Sequence, residues 1–93
     1  MNDTEFEILR KISKKAVSSQ RRLSKELDTS LGKVNYCLKA LADKGLIKIS
    51  NFKNSKNKAK YLYILTPKGI SEKSKITLRF MKRKMKEYDE LKE

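Results

Sequence analysis

The sequence has no histidine and no tryptophan, and in 93 residues it has one cysteine (Cys37) and one proline (Pro67). Without histidine it lacks the usual general base near neutral pH and the commonest metal ligand, and one thiol cannot complete a zinc site. A lone cysteine also excludes an intramolecular disulfide and points to a reducing compartment. There is no nucleophile elbow, P-loop or concentrated carboxylate pair, so no catalytic residue, metal or cofactor is expected and the chain reads as a non-enzyme. No run of about 18 apolar residues occurs and the N-terminus has no signal-peptide core, so a soluble, cytoplasmic protein with no membrane partner is expected.

What the chain has in excess is positive charge: 24 basic against 11 acidic residues, a formal net charge of +13. Its placement says more than its total. Residues 10–60 carry 15 Lys/Arg against Glu26, Asp28 and Asp43, whereas residues 1–9 carry three acids and no base. A charge run is often only a solvated face, but here the surplus falls where a nucleic-acid fold would need it, which favours a polyanionic partner.

The stretch Ser30–Gly45, SLGKVNYCLKALADKG, organises the rest. Ser30 can cap a helix, Val34, Leu38 and Leu41 with Cys37 form one apolar face, and Gly45 can end the helix in the left-handed conformation. The other face offers Lys33, Asn35, Tyr36 and Lys39, all able to donate to phosphates or base edges. Upstream, Thr4 and Glu7 have capping-box spacing for a helix over about 4–15, with Phe6, Ile8, Leu9, Ile12 and Ala16 as its apolar stripe. Val17 and Ser18 read as an extended link. Ser19 caps a short helix, QRRLSKEL, whose Leu23 and Leu27 face inward, and Asp28-Thr29 supplies a tight turn. Two short helices joined this way read as a helix-turn-helix, and an ordinary αα-hairpin fits the same pattern.

After Gly45 the period changes. LIKISNF (46–52) and YLYILT (61–66) read as strands joined by the basic loop KNSKNKAK (53–60), which makes a β-hairpin wing. Thr66-Pro67 restarts a helix running to Lys92. Leu78, Met81, Met85 and Tyr88 step by 3, 4 and 3 as a dimerisation seam with Leu91 beside it, while Ile70, Ile76 and Phe80 are expected to point back onto the winged domain. A homodimer covers the seam; folding of the helix back onto helix 1 is the alternative. The fold class is therefore mainly α with a small β-hairpin wing, comprising a winged helix-turn-helix domain at 1–67 and a C-terminal helix at 68–93.

Gln20 to Gly69, carried by QRRLSKEL, SLGKVNYCLKALADKGLI, the lysine loop and LTPKG (65–69), resembles the winged-helix regulators of the MarR family, most of all the subgroup associated with exopolysaccharide gene clusters. The resemblance implies double-stranded DNA as partner, with Leu31, Gly32, Lys33, Asn35, Tyr36 and Lys39 facing the major groove and Lys58 in place of the family's wing arginine. Where the family carries an aspartate and an arginine in the wing, this chain reads Asn57 and Lys58, which implies a phosphate-directed wing. The helices that usually frame a small-molecule pocket are reduced, so no effector is assigned.

Ser30, Arg21, Arg22 and the wing lysines Lys53, Lys56, Lys58 and Lys60 complete the expected DNA-binding set, as phosphate contacts for the most part. Gly32 has two readings: a side chain there would hold the backbone away from DNA, or the first helical turn simply tolerates glycine at a cost of about 1 kcal/mol against alanine. Cys37 reads as a core residue; a redox switch would want an exposed thiol of lowered pKa. The reading as a whole is a dimeric, repressor-type, sequence-specific regulator, with a winged-helix adaptor module that binds DNA only non-specifically as the alternative.

Overall fold

The computed structural model describes residues 1–53 and 59–92. Three helices, α1 (Asp3–Lys14), α2 (Gln20–Glu26) and α3 (Leu31–Asp43), precede an antiparallel hairpin of β1 (Ile47–Lys53) and β2 (Ala59–Leu65), and a long helix α4 (Pro67–Lys92) follows. The mainly α fold with a β-hairpin wing is the one expected. No helix among the described residues is long and apolar enough to cross a membrane.

Helix α1 begins earlier than Thr4. Asn2 is its cap, its side chain accepting from the Glu5 backbone N–H at 2.7 Å. Asparagine caps as well as threonine does, and this start lets buried Glu5 reach Lys44 Nζ at 2.9 Å. Ile8, Leu9 and Ile12 are buried as expected; Phe6 is half-buried, and Ala16 lies beyond the helix and is exposed.

Ser19 caps α2 by accepting from the Arg22 N–H at 3.1 Å. Its C-terminus closes in a Schellman motif: the Thr29 N–H donates to Ser24 O (3.0 Å) and the Asp28 N–H to Lys25 O (3.3 Å). Asp28 holds φ at 50°, the left-handed turn conformation read from the sequence. Ser30 then caps α3 by accepting from the Lys33 N–H at 3.1 Å. A second Schellman motif ends α3, with Gly45 at φ 74° and the Leu46 N–H donating to Leu41 O at 3.0 Å.

The hairpin is longer at its tip than the side-chain pattern suggested. Lys53 pairs with Ala59 and Phe52 with Lys60, so only residues 54–58 separate the strands. Backbone ladders propagate whatever the polarity of the side chains, so a reading based on apolar alternation stops too early. Val17 adds a further pairing: its N–H donates to Tyr63 O (3.2 Å), and its carbonyl oxygen accepts in return from the Tyr63 N–H (2.8 Å). The stretch read as a plain link is thus a one-residue third strand, which ties α1 and α2 to the wing.

The core gathers Ile8, Leu9 and Ile12 from α1, Leu23 from α2, Val34, Cys37, Leu38 and Leu41 from α3, then Leu46, Ile47 and Tyr63. Thr66 locks the start of α4, its hydroxyl donating to Gly45 O (2.6 Å) and accepting from the Gly69 N–H (3.0 Å). Buried Gly69 presses against Leu46, and a Cβ there would overlap the Leu46 carbonyl oxygen. Ile76 and Phe80 turn toward Phe6 and Leu46 across a groove of about 630 Å³. Ile70 does not: it is 55% exposed. At 100° per residue its direction falls on the same side as Leu78, Met81 and Met85, so it extends the seam.

Candidate nucleic-acid interface

The two faces of α3 separate cleanly. Val34, Cys37, Leu38 and Leu41 are 0–1% exposed. Leu31, Gly32, Lys33, Tyr36 and Lys39 are exposed, Tyr36 at 70%. An aromatic ring and two ammonium groups therefore stand exposed along one face of the helix, and the orphan N–H groups at its N-terminus add positive potential at the Lys33 end. Nothing lies within 4 Å of a Cβ built on Gly32, so the fold itself places no demand for glycine there.

Asn35 differs from its neighbours. It is half-buried, and its Oδ1 accepts from Gln20 Nε2 at 3.3 Å, while the same amide nitrogen donates to the Tyr63 hydroxyl at 2.7 Å. One side-chain amide thus joins the start of α2, the outer face of α3 and the second wing strand. Asn35 Oδ1 keeps a lone pair and its NH2 group remains to donate, so the pose is compatible with an adenine edge. Sequence reasoning missed Gln20 and the Tyr63 hydroxyl; their partners are remote in the chain, and no local pattern signals them.

Arg21 and Arg22 are both exposed on α2. Arg22 Nε lies 3.2 Å from Glu26 Oε1, and Lys11 Nζ lies 3.1 Å from Glu26 Oε2. The hydrogen bond from Lys11, reinforced by Arg22, holds the Glu26 carboxyl below its ordinary pKa. Arg21 is the freer of the two for a phosphate. Lys53 and Lys60 take positions at the tip end of the strands; Lys56 and Lys58 lie outside the described residues.

Cys37 is packed in the core, and burial pushes its thiol above the ordinary value, with the Glu5 carboxylate adding to the shift. A thiol held in that form is a poor nucleophile. Leu78, Met81, Met85 and Tyr88 stand in a row on α4, each more than half exposed.

The family model for winged helix-turn-helix DNA-binding domains matches residues 1–48, which span α1 to the start of β1. Among solved structures, the transcriptional regulator BldR from Sulfolobus solfataricus is 22% identical over 91% of this chain and 60% of its own, with a TM-score of 0.72. ZitR, a zinc-responsive MarR family member from Lactococcus lactis, is 26% identical over 98% of this chain and 60% of its own, with a TM-score of 0.71. A ZitR variant has also been solved in complex with DNA. AdcR, the adhesin competence repressor of Streptococcus pyogenes, is 21% identical over 98% of this chain and 65% of its own, with a TM-score of 0.69. The chain spans roughly three fifths of the length of these regulators. No curated protein matches it.

Proposed function

This chain belongs to the winged helix-turn-helix DNA-binding family, and from that premise we propose that it is a sequence-specific transcriptional regulator of the MarR type. One observation carries the reading: α3 buries its whole apolar face and leaves a cationic and aromatic face uncovered. In this reading the N-terminal half of α3 enters the major groove. Leu31, Gly32 and Tyr36 approach base edges and thymine methyls, Asn35 reads an adenine, and Lys33 and Lys39 reach guanine or phosphate. Ser30, Arg21 and Arg22 serve the flanking phosphates, and the wing lysines Lys53, Lys56, Lys58 and Lys60 supply much of the salt-dependent affinity.

Residues 1–67 form the DNA-binding part, and residues 68–93 pair two copies through Leu78, Met81, Met85 and Tyr88. Two copies match a two-fold operator, and occupancy of such a site by a compact dimer suits repression. The fold shared with ZitR, which has been solved with DNA in one variant, supports the reading. The exopolysaccharide gene clusters named by the sequence resemblance are the first operators to try.

Titration of the labelled protein with duplex DNA, followed by backbone amide NMR, tests the placement. The reading expects the first shifts at residues 30–39 and in the wing, with α1 residues 3–9 unmoved. Shifts confined to α4 would refute it.

A further inference from the structure

Gln20 opens α2, and backbone features on either side fix where it stands. Just before it, Val17 pairs with Tyr63 through both backbone groups, at 3.2 and 2.8 Å. Ser19, its immediate neighbour, caps the helix by accepting from the Arg22 N–H at 3.1 Å. From that position the side-chain nitrogen of Gln20 commits both of its hydrogens. One goes to the Tyr63 hydroxyl at 2.7 Å and the other to Asn35 Oδ1 at 3.3 Å. Tyr63 is only 5% exposed and packs in the core, so the wing end of this relay is firmly held. Gln20 and Asn35 are both half-buried.

A side-chain amide has a broad, roughly two-fold end torsion, so an unheld Asn35 would exchange Oδ1 and Nδ2 by turning over. The two states read different edges. In the major groove adenine offers an acceptor, N7, beside a donor, the N6 amino group; guanine offers two acceptors, N7 and O6. With Nδ2 toward N7 and Oδ1 toward the six-position, Asn35 matches both groups of adenine and sets Oδ1 against guanine O6. Turned over, it opposes both groups of adenine and still gives guanine O6 a donor. Because the nitrogen of Gln20 faces Asn35, only Oδ1 can turn toward it, and one state is held. Oδ1 uses one lone pair on Gln20 and keeps the other for a base. We propose that Gln20 is the positioning residue that fixes the Asn35 amide and thereby sets its choice of adenine over guanine. This rests on the reading of α3 as the recognition helix. It gives the start of α2 and the buried Tyr63 hydroxyl a share in base discrimination with no base contact of their own.

The test sets the full chain, its Asn35→Ala, Gln20→Ala and Gln20→Glu variants and the double variant Gln20→Glu/Asn35→Ala against a randomised duplex pool at about 0.15 M salt. Thermal unfolding checks that each variant is folded. Asn35→Ala identifies the base pair concerned. There Gln20→Ala should lower the adenine-to-guanine ratio about 2–3-fold, since the two amide states become equal. Gln20→Glu offers Asn35 only an acceptor, draws Nδ2 inward and should lower the ratio about tenfold. Its added charge weakens every sequence alike and cancels in the ratio. In the Asn35→Ala background Gln20→Glu should leave the ratio at that pair unchanged. A ratio unmoved by both Gln20 variants, or an equal loss for all bases, would overturn the proposal and leave the regulator reading standing. A Gln20→Glu effect that persists without Asn35 would make Gln20 a base contact in its own right, also against the proposal. A parent that enriches no sequence, or a site indifferent to Asn35→Ala, would remove the reading of α3 and the proposal with it.

Discussion

Gly69→Ala and Gly32→Ala are the same chemical change in the first turn of two helices, and the structure gives them opposite signs. In an exposed helix position the added methyl is favourable by about 1 kcal/mol. At Gly32 it meets nothing within 4 Å, so it should raise stability by about 0.5–1 kcal/mol. At Gly69 it would overlap the Leu46 carbonyl oxygen and lie 2.7 Å from Leu65 Cδ1. That carbonyl cannot simply move aside, because it accepts from the Thr66 N–H at 3.1 Å and so fixes the corner where the wing becomes α4. Overpacking costs typically 1–3 kcal/mol, more against backbone, and outweighs the propensity gain. For a domain of this size the net loss lowers Tm by about 5–15 °C, while Gly32→Ala raises it by about 2–6 °C. Thermal unfolding followed by far-UV circular dichroism reads both, and a Tm for Gly69→Ala at or above that of the parent would refute the packing argument. DNA affinity then separates the two readings of Gly32: a stabler variant that binds more weakly places glycine there for close approach to the duplex.

Asp28→Gly should hold or slightly raise stability, by up to about 0.5 kcal/mol, since glycine takes φ 50° freely but loosens the unfolded chain; Asp28→Val should cost about 1–2 kcal/mol in denaturant titration. Because the folded Glu26 carboxyl is held below its ordinary value of 4.5, its ion pairs add stability above that pH and lose it as pH falls through the lowered value. Glu26→Gln should therefore be less stable than the parent at pH 7, with the two converging in acid; a gap unchanged down to pH 2 would contradict the assignment. Asn35→Ala should cost about 1–3 kcal/mol at one base position and relax preference there, read by competition with single-base operator variants. Lys58→Ala should weaken all sequences alike and lower the salt slope by about one, an outcome excluded if the loss proved sequence-dependent.

Features set by neighbours in the chain were legible from the residues alone. The Ser19 and Ser30 caps, the left-handed Asp28 and Gly45, and the buried Val34, Leu38 and Leu41 all follow from spacings of a few residues. Contacts between distant segments left no such mark. The Val17–Tyr63 pairing and the Gln20 amide shared by Asn35 and Tyr63 depend on how the wing folds back against the first two helices. Asn2 outcompeted Thr4 as a cap because the earlier start brings Glu5 to Lys44, which lies far along the chain. No local pattern signals Gly69 either, although its lack of a side chain is what lets α4 close on Leu46. Ile70 was set apart from the seam because only Leu78 onward shows the 3–4 step, although its direction is shared.

The most direct test of the central claim is selection from a randomised duplex pool at about 0.15 M salt with excess competitor DNA. A sequence-specific dimer predicts enrichment of an inverted repeat, its half-sites centred about 10–10.5 base pairs apart. A pool returned unenriched, with binding that still falls steeply as salt rises, would contradict it and leave a non-specific or partner-directed DNA-binding module.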